Sequence, residues 1–563
     1  MGQDISQVWL PQRRISRRRF LVGAGLGVAG VVVSACTRRE EGPGSPVARE
    51  TSPPGLRGRD PGTLVVAVDA AVENLDPATN VEWAYGLLPV YDTLVRLDGE
   101  ATDKTVPWLA QSLESNDDAT AWVAQLRDGV TFHDGTQCNA KAVRDAIMRT
   151  VTQSGGLGYV WAFDDPDKQM TVEDEMTLRF SFPDGRPFFN IEAAGQYGFS
   201  IPSPAAAETH STGPDDQGHE WLQANPVGTG PYTVARNDPG QEIIFEQFPQ
   251  YWGGWSGNHF ERVITRTIPE SNTRRRLLEQ GEADIIWPGT ADDTVQLGED
   301  PRFTVTDAPT LVMEFIALGA YGPLEDPRAR QAMNHAFDRE GYLSGVMRET
   351  LDAPHGVFPD LLATADTSIQ TPAYDLDKAK QLLDAAGVAE GTELTYTYFT
   401  GFGDDVGELL QASLAEIGIQ LKLRERSFSA FVADFFSDAP PEKRPNMYFF
   451  SWWPNYNHPF DWAWVLYHSD AWGSAGANAG LYSSKEADEL IDAMWNAPID
   501  DDLRQTSSRL QEILALEDPP WIPVAQEPTH LAVRNDISGL VLNPVYVLTL
   551  DMYGLHRTSS PDR

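Results

Sequence analysis

Hydrophobic positions along this chain follow two spacings, which predict buried strands and amphipathic helices in alternation. The run TLVVAV at 63–68 is almost continuously apolar, as in a strand buried on both faces. Further along, Ser271 can cap a helix that ends near Gly281, and an apolar strand follows at 284–287. Similar patterns predict helices that open at Asp326 and Asp375, and a helix followed by a strand over 409–423. Helices between strands, joined by short glycine-bearing connections, predict an α/β protein.

The first 36 residues have a different pattern. Three arginines at 17–19 precede an apolar run at 20–33, and Ser34-Ala35-Cys36 follows, an order typical of an export signal. Fourteen apolar residues reach about 21 Å as a helix. This length is too short to span a bilayer core of about 30 Å comfortably. The glycines at 25, 27 and 30 also match a dinucleotide-binding pattern, but no strand precedes them, so the export signal is favoured.

Two details within this segment predict how the protein is exported and held. Residues 16–21 (SRRRFL) resemble the twin-arginine export motif. Residues 33–36 (VSAC) resemble a lipobox, in which Cys36 is lipidated and becomes the first residue of the mature chain. The segment 37–60 is rich in Pro, Gly, Ser and charge, and is expected to be a flexible linker between the lipid and the folded body.

Charge and cysteine content narrow the possible functions. The formal net charge is −39, and because the first 36 residues carry five Arg and one Asp, the remainder is near −43. Such a surface repels phosphates, so nucleic acid is excluded as a partner. Cys138 is the only cysteine after Cys36, so the mature chain cannot form an intrachain disulfide, and we interpret Cys138 as a buried small hydrophobic residue.

Seven stretches identify a family resemblance. They begin at 74, 90, 106, 225, 326, 374 and 409, and read NLDPA, VYDTLVRLDG, VPWLAQSLESNDDATAWVAQLRDGVTFHDG, NPVGTGPY, DPRARQAMNHAFDRE, YDLDKAKQLLDAAG and LLQASLAEIGI. In this order they resemble the extracytoplasmic solute-binding proteins of ABC importers, the dipeptide/oligopeptide/nickel-binding family (family 5). The similarity extends from about Thr63 almost to the C-terminus.

The resemblance implies a two-lobed periplasmic-binding-protein type II fold of the α/β class, with an extra subdomain on the first lobe. Lobe I comprises 61–307 and 528–563, with the subdomain at about 92–224, and lobe II comprises 308–527. The chain is therefore expected to cross to the second lobe near Asp307 and to return near Glu527.

Aromatic residues concentrate where the resemblance places the solute, between the lobes. Eleven of the 26 residues at 447–472 are Phe, Trp or Tyr, against 10% for the whole chain. Prolines and asparagines make 453–458 a loop. Aromatic rings on a loop indicate contact with a ligand or burial in the core, and Trp452, Trp453 and Tyr456 are predicted to contact the ligand.

The same loop aligns with the pattern GWxADYxDP of peptide-binding members, whose first Asp pairs with the peptide α-amino group. Asn455 stands at that position here and carries no charge. Dipeptide binders also place an Arg after the strand that corresponds to LTYTYF, whereas residues 401–405 contain no Arg and offer Asp404 and Asp405. These differences from dipeptide binders leave two candidate solutes. One is a longer peptide held by backbone contacts, and the other is a non-peptide solute such as an oligosaccharide or glycoside.

Further residues are predicted to line the cleft from their positions in the motifs. The hypothesis that His458 contacts a metal chelate competes with a solvated loop histidine, and no metal site is predicted. The full set of predicted ligand-binding residues is Asn74, Trp83, Tyr85, Tyr398, Phe399, Asp404, Trp452, Trp453, Asn455, Tyr456, His458 and Asn478.

The sequence therefore predicts a monomeric, lipid-anchored receptor on the outer face of the cell membrane. It would capture a peptide or similar small solute and deliver it to the permease subunits of an ABC transporter, without a cofactor. The alternatives are a binder of a non-peptide solute, a surface sensor or chaperone-like binder without a transport partner, and a secreted glycan hydrolase. No GxSxG, HExxH or zinc-ligand spacing is present, so an enzyme is not expected.

Overall fold

The structure is a computed structural model that describes residues 60–80, 84–153, 158–161, 163–195, 197–547 and 549–558. The predicted export signal, Cys36, all but the last residue of the predicted linker, and Trp83 lie outside the described residues.

Twenty strands are described. In chain order they are β1 (Thr63–Val68), β2 (Val95–Leu97), β3 (Thr105–Pro107), β4 (Ala110–Ser115), β5 (Ala121–Leu126), β6 (Met170–Val172), β7 (Thr177–Ser181), β8 (Tyr232–Asp238), β9 (Glu242–Gln247), β10 (Arg262–Thr267), β11 (Ile285–Ile286), β12 (Phe303–Val305), β13 (Met313–Leu318), β14 (Glu393–Phe399), β15 (Gln420–Arg426), β16 (Met447–Trp452), β17 (Trp521–Gln526), β18 (Ala532–Arg534), β19 (Ile537–Ser538) and β20 (His556–Arg557).

Fourteen α-helices are described among the same residues. They are α1 (Ala140–Thr152), α2 (Pro166–Gln169), α3 (Phe189–Ala193), α4 (Pro204–His210), α5 (His219–Leu222), α6 (Ser271–Glu279), α7 (Ala291–Gly298), α8 (Pro327–Ala336), α9 (Leu376–Ala386), α10 (Asp404–Glu416), α11 (Phe428–Phe435), α12 (Pro459–Tyr467), α13 (Lys485–Met494) and α14 (Asp501–Glu512).

Three larger sheets and two two-stranded sheets, β2-β3 and β19-β20, organise these elements. The first has the order β12-β18-β11-β1-β10-β9-β8, with β1 parallel to both β10 and β11. The second has the order β15-β14-β16-β13-β17, with β14 parallel to β15 and β16 and with β13 antiparallel to both neighbours. A third, antiparallel sheet, β4-β5-β7-β6, forms within the long insertion between β1 and β8. We call residues 92–224 of this insertion, which include β2 to β7 and α1 to α5, the extra subdomain.

The two large sheets are joined by a pair of chain segments that run alongside each other. The outgoing segment 306–312 and the returning segment 527–531 are hydrogen-bonded as an antiparallel ribbon. The Thr529 N–H donates to the Ala308 carbonyl at 2.7 Å, and the Thr306 N–H donates to the Leu531 carbonyl at 2.9 Å. We call this pair the hinge ribbon, because it is the covalent connection between the lobes built on the two sheets.

The continuous apolar run in β1 is explained by burial on both faces. Leu64, Val66 and Val68 belong to one hydrophobic cluster of the first lobe, and Val65 and Ala67 belong to another on the opposite face. Alternate residues of a strand point to opposite sides, so a strand covered on both sides must be apolar throughout.

The predicted helix starts are confirmed at two of three positions. The Asp326 carboxylate accepts from the Arg328 N–H at 2.8 Å, and the Asp375 carboxylate accepts from the Lys378 N–H at 2.8 Å. The prediction that Ser271 caps α6 is wrong. Ser271 is the first helical residue, because the Glu270 carbonyl already accepts from the N–H groups of Thr273 and Arg274.

Candidate ligand-binding cleft

Trp453 is the predicted site residue that most directly joins the two lobes. It follows β16 of the second lobe, yet its half-buried side chain packs against the first-lobe hydrophobic cluster that contains Leu75 and Tyr85. We call this cluster the first-lobe wall. A ring that is held by one lobe and lies against the other is in the position expected for a residue that encloses a ligand.

Tyr85 and Trp287 present aromatic rings on the first-lobe wall. Their ring centroids are 5.9 Å apart, and the Tyr85 hydroxyl donates to the Ala70 carbonyl. Burial raises the pKa of Tyr85, and the nearby Asp69 charge raises it further, so the phenol remains neutral. Asp69 follows the carboxyl end of β1 and Trp287 follows that of β11, the edge at which ligands of α/β proteins collect.

Acidic side chains lie where the hinge ribbon meets the second lobe. Glu314 in β13 is 5% exposed and accepts a hydrogen bond from the Tyr342 hydroxyl at 3.4 Å. Burial raises the pKa of Glu314, and the charge of Glu527 adds to the effect. Burial likewise raises the pKa of Glu527, while His530 opposes and Asp69 reinforces the shift. Asp69, Glu314 and Glu527 therefore place an excess of carboxylates at the hinge.

Asn455 is held by a carboxylate of its own lobe. Its backbone N–H donates to Asp461 Oδ2 at 2.6 Å, and its side-chain Nδ2 donates to Asp461 Oδ1 at 3.1 Å. Burial raises the pKa of Asp461 to about 6 even though both Asn455 donors favour the ionised form. Asn455 carries no charge, but Asp461, the third residue of α12, places a carboxylate directly beside it.

Tyr456 and His458 face the extra subdomain. The Phe188 ring lies 5.6 Å from the Tyr456 ring and 4.2 Å from the His458 ring, nearly parallel to both. His458 is fully buried and caps α12, because its Nδ1 accepts from the Phe460 N–H at 3.2 Å. Its Nε2 donates to the Ala497 carbonyl at 3.0 Å, so both ring nitrogens are engaged within the protein.

Burial lowers the pKa of His458 to about 4, with the Ala497 hydrogen bond opposing the shift. The imidazole is therefore neutral at physiological pH. Among the described residues, no group of three or more His, Cys, Asp or Glu side chains is arranged to hold a metal ion.

The second-lobe residues on the list differ in exposure. Trp452 is 2% exposed within the core, and Phe399 joins an aromatic cluster with Phe402 at 4.9 Å and Phe431 at 5.4 Å. Tyr398 is half-buried. Asp404 is an exposed residue at the first position of α10, where a carboxylate complements the helix dipole.

Asn478 and Asn74 organise their own loops. Asn478 is 2% exposed, donates to the carbonyls of His468 and Tyr482, and accepts from the Tyr482 N–H. Asn74 accepts from the Asp76 N–H at 2.9 Å and donates to the Thr79 hydroxyl at 2.9 Å. The structure thus brings Trp453 and Tyr85 to one cluster and places Tyr456 and His458 at a different contact.

Residues outside the predicted set also contribute to these surfaces. Glu314 was visible in the sequence as a single acid inside the apolar run LVMEFIAL. Trp287 ends the predicted strand at 284–287, so its place at a strand end was also available. Glu192 and Phe188 lie in the extra subdomain, and their contact with the second lobe depends on packing between segments that are distant in sequence.

These features define a two-lobed α/β binding protein in which a hinge ribbon joins the lobes. The predicted fold class, a periplasmic-binding-protein type II fold with an extra subdomain on the first lobe, is confirmed by the related structures below. No helix within the described ranges is long and apolar enough to cross a membrane.

The chain belongs to the bacterial extracellular solute-binding proteins, family 5, whose model for the middle region matches residues 104–474. It is 27% identical over 515 residues to Di/tripeptide-binding protein 2 of Pseudomonas aeruginosa (strain UCBPP-PA14), covering 86% of this chain and 93% of that protein. It is 26% identical over 490 residues to the glutathione-binding protein GsiB of Shigella flexneri, covering 85% and 92%.

A solved structure has the same fold. The periplasmic binding protein DppA from Helicobacter pylori, in complex with the peptide STSA, superimposes with a TM-score of 0.76 at 23% identity and covers 88% of this chain and 98% of that chain. The predicted membership among the solute-binding proteins of ABC importers is confirmed, and the family consists of binding proteins rather than enzymes.

Proposed function

We propose that this protein is a lipid-anchored receptor that captures a peptide or a similar small solute between its lobes and delivers it to an ABC transporter permease. One observation supports capture most strongly, namely the position of Trp453 of the second lobe against the first-lobe wall. A solute that contacts both Trp453 and this wall would bind the closed form better than the open form. Only such differential affinity shifts the population of a two-state protein.

The acidic side chains of the cleft favour the amino end of a peptide over its carboxylate, because an ammonium group beside a buried acid stabilises the ionised form of that acid. Asp69 lies at the first-lobe strand end, and the acids Glu314 and Glu527 lie at the hinge. The buried guanidinium of Arg274 donates to the carbonyls of Trp287, Ile268 and Pro269, and Arg339 donates to the Pro523 carbonyl. A carboxylate would therefore find these two arginines already engaged, whereas an ammonium group would meet carboxylates and aromatic faces.

The cargo is identified by native mass spectrometry of protein purified without denaturation. We expect a retained small molecule with a basic amine, and a peptide would assign the cargo proposed here. A retained saccharide would assign the non-peptide alternative. A protein that retains nothing and binds no member of a peptide library would contradict solute capture.

The membrane anchor is a separate part of the proposal and has a separate test. Lipidation of Cys36 would hold the mature chain at the outer face of the membrane by its acyl chains. We expect Cys36→Ser to move the protein from the membrane fraction to the soluble extracytoplasmic fraction. An unmodified N-terminal mass for the wild-type protein would contradict the anchor and would leave solute capture untouched.

A further inference from the structure

The extra subdomain makes a second contact with lobe II, distinct from the contact at Trp453. Phe188 lies against the rings of Tyr456 and His458, and the Arg186 guanidinium lies 5.7 Å from the centre of the Trp495 ring. The Asn457 Nδ2 donates to the Thr102 hydroxyl at 2.6 Å. We call this surface the subdomain contact.

Two carboxylates and one guanidinium are enclosed near the subdomain contact. Glu192 in α3 is 2% exposed, and its Oε1 lies 3.5 Å from Nη1 of Arg186. The same Nη1 donates to the Trp161 carbonyl at 2.9 Å, so it is shared. Glu192 Oε2 is buried and has no hydrogen-bond partner among the described residues. The charge of Asp461, on α12 of the second lobe, adds to the upward shift of the Glu192 pKa.

Other titratable groups at this contact do not balance the extra negative charge. His458 is neutral at physiological pH for the reasons given above. Burial raises the pKa of Tyr456, and the charges of Asp461 and Glu192 add to the effect, so the phenol is neutral too. Arg186 supplies the positive charge at this contact. A buried carboxylate oxygen without a partner is costly, and protonation is the simplest way to remove that cost.

The free-energy cost of burying the unpartnered Glu192 oxygen depends on lobe closure, because Glu192 and Asp461 lie in different lobes. Glu192 belongs to the insertion between β1 and β8, whereas Asp461 lies between β16 and β17 in the other lobe. The hinge ribbon at 306–312 and 527–531 joins the lobes, so opening at the hinge would separate the two carboxylates and expose them to water. Glu192 would then titrate near its ordinary value, whereas Asp461 would keep both hydrogen bonds from Asn455 of its own lobe.

We propose that Glu192 and Asp461 form a proton-dependent latch, in which closure of the second lobe onto the extra subdomain takes up a proton that opening releases. This inference rests on the lobe movement of the proposed function. It predicts that acid favours the closed form even without a solute.

The direction in which pH moves the closed-to-open equilibrium follows from the direction of the Glu192 pKa shift. Burial raises the pKa of Glu192 to about 7, Asp461 reinforces the shift and Arg186 opposes it. A raised pKa in the closed form means that the closed form binds the proton more tightly. The added stability of the closed form is therefore fully present below the ordinary Glu pKa and is lost as the pH rises through about 7.

Small-angle X-ray scattering of the full chain, freed of any retained solute and without added solute, tests the latch at pH 5.5 and pH 8.5. From the ordinary Glu pKa near 4.3 and the raised value near 7, the closed-to-open ratio should fall about thirtyfold between these conditions. Glu192→Gln cannot ionise at position 192, so this variant should lose most of the wild-type response and keep only the smaller part that comes from Asp461. Glu114→Gln is the matched control, because Glu114 is an exposed acid of the same subdomain and its loss should leave the wild-type response unchanged.

Equal closed fractions of the wild type at both pH values would overturn the latch, as would an equal response in Glu192→Gln. If Glu192→Gln does not fold, Asp461→Asn replaces it, because loss of the Asp461 charge should reduce the wild-type response, and an undiminished response in Asp461→Asn would overturn the latch. Because no solute is added, a negative result overturns the latch and leaves solute capture standing. Failure to retain any solute overturns capture and leaves the scattering result valid.

Discussion

The two halves of the aromatic loop after β16 differ in what they contact. Trp453 is half-buried and lies on the first-lobe wall, whereas Tyr456 and His458 are buried against Phe188 of the extra subdomain. Trp453 keeps part of its ring surface exposed, whereas the second half of the loop has its ring faces and ring nitrogens engaged. We therefore expect the aromatic residues of this loop to serve two purposes, solute contact at Trp453 and packing between lobes at Tyr456 and His458.

The largest expected effect concerns the buried half. Tyr456→Ala removes a buried ring from the stack with Phe188, so we expect the free energy of unfolding to fall by about 3–4 kcal/mol. Denaturant titration monitored by circular dichroism measures this loss. Tyr374→Ala is the control, because Tyr374 is 42% exposed and should cost less than about 1 kcal/mol. Equal losses in the two variants would contradict the burial of Tyr456.

The next largest expected effect is the pH dependence that His458 confers on the free energy of unfolding. Its folded pKa of about 4 lies below the ordinary value near 6.5, so its stabilising effect is fully present above 6.5 and is lost as the pH falls toward 4. We expect the wild type to lose about 3 kcal/mol more than His458→Gln between pH 7 and pH 4. Denaturant titrations at several pH values measure the difference. Parallel pH profiles for the two proteins would show that His458 titrates normally.

A smaller but specific effect, on solute affinity, is expected for the half-buried Trp453. Trp453→Ala should weaken solute binding about tenfold to hundredfold, because a ring that contacts both lobes is lost, while the unfolding midpoint changes little. Isothermal titration with the identified solute measures the affinity. Trp472→Ala removes a 39% exposed ring from the same lobe and should bind normally. An unchanged dissociation constant for Trp453→Ala would remove Trp453 from the site.

The smallest effect is expected at Asp404, whose carboxylate is exposed at the start of α10. Asp404→Asn should lower stability by less than about 1 kcal/mol through the helix dipole. If Asp404 also contacts the amino end of a solute, the affinity should fall more for an amine-bearing ligand than for an N-acetylated one. Equal changes for the two ligands would assign only the helix-terminal role to Asp404.

The sequence predicted those features that depend on local pattern. The apolar run of β1, the caps Asp326 and Asp375 and the density of aromatic residues after β16 are all visible without a structure. The family motifs supplied the two-lobed fold. Which aromatic ring meets which surface could not be predicted, because Phe188 and Tyr456 come together only through packing between lobes. The sequence likewise predicts a ligand contact for Asn455, because its hydrogen bonds to Asp461 depend on the conformation of the folded loop.

A crystal structure of the protein with its retained solute would examine enclosure between the lobes most directly. We expect the solute to be chemically intact, to contact Trp453 on one side and the wall formed by Tyr85 and Trp287 on the other, and to place a basic group toward Asp69. A solute bound to one lobe alone, or recovered as cleaved products, would contradict solute capture by closure.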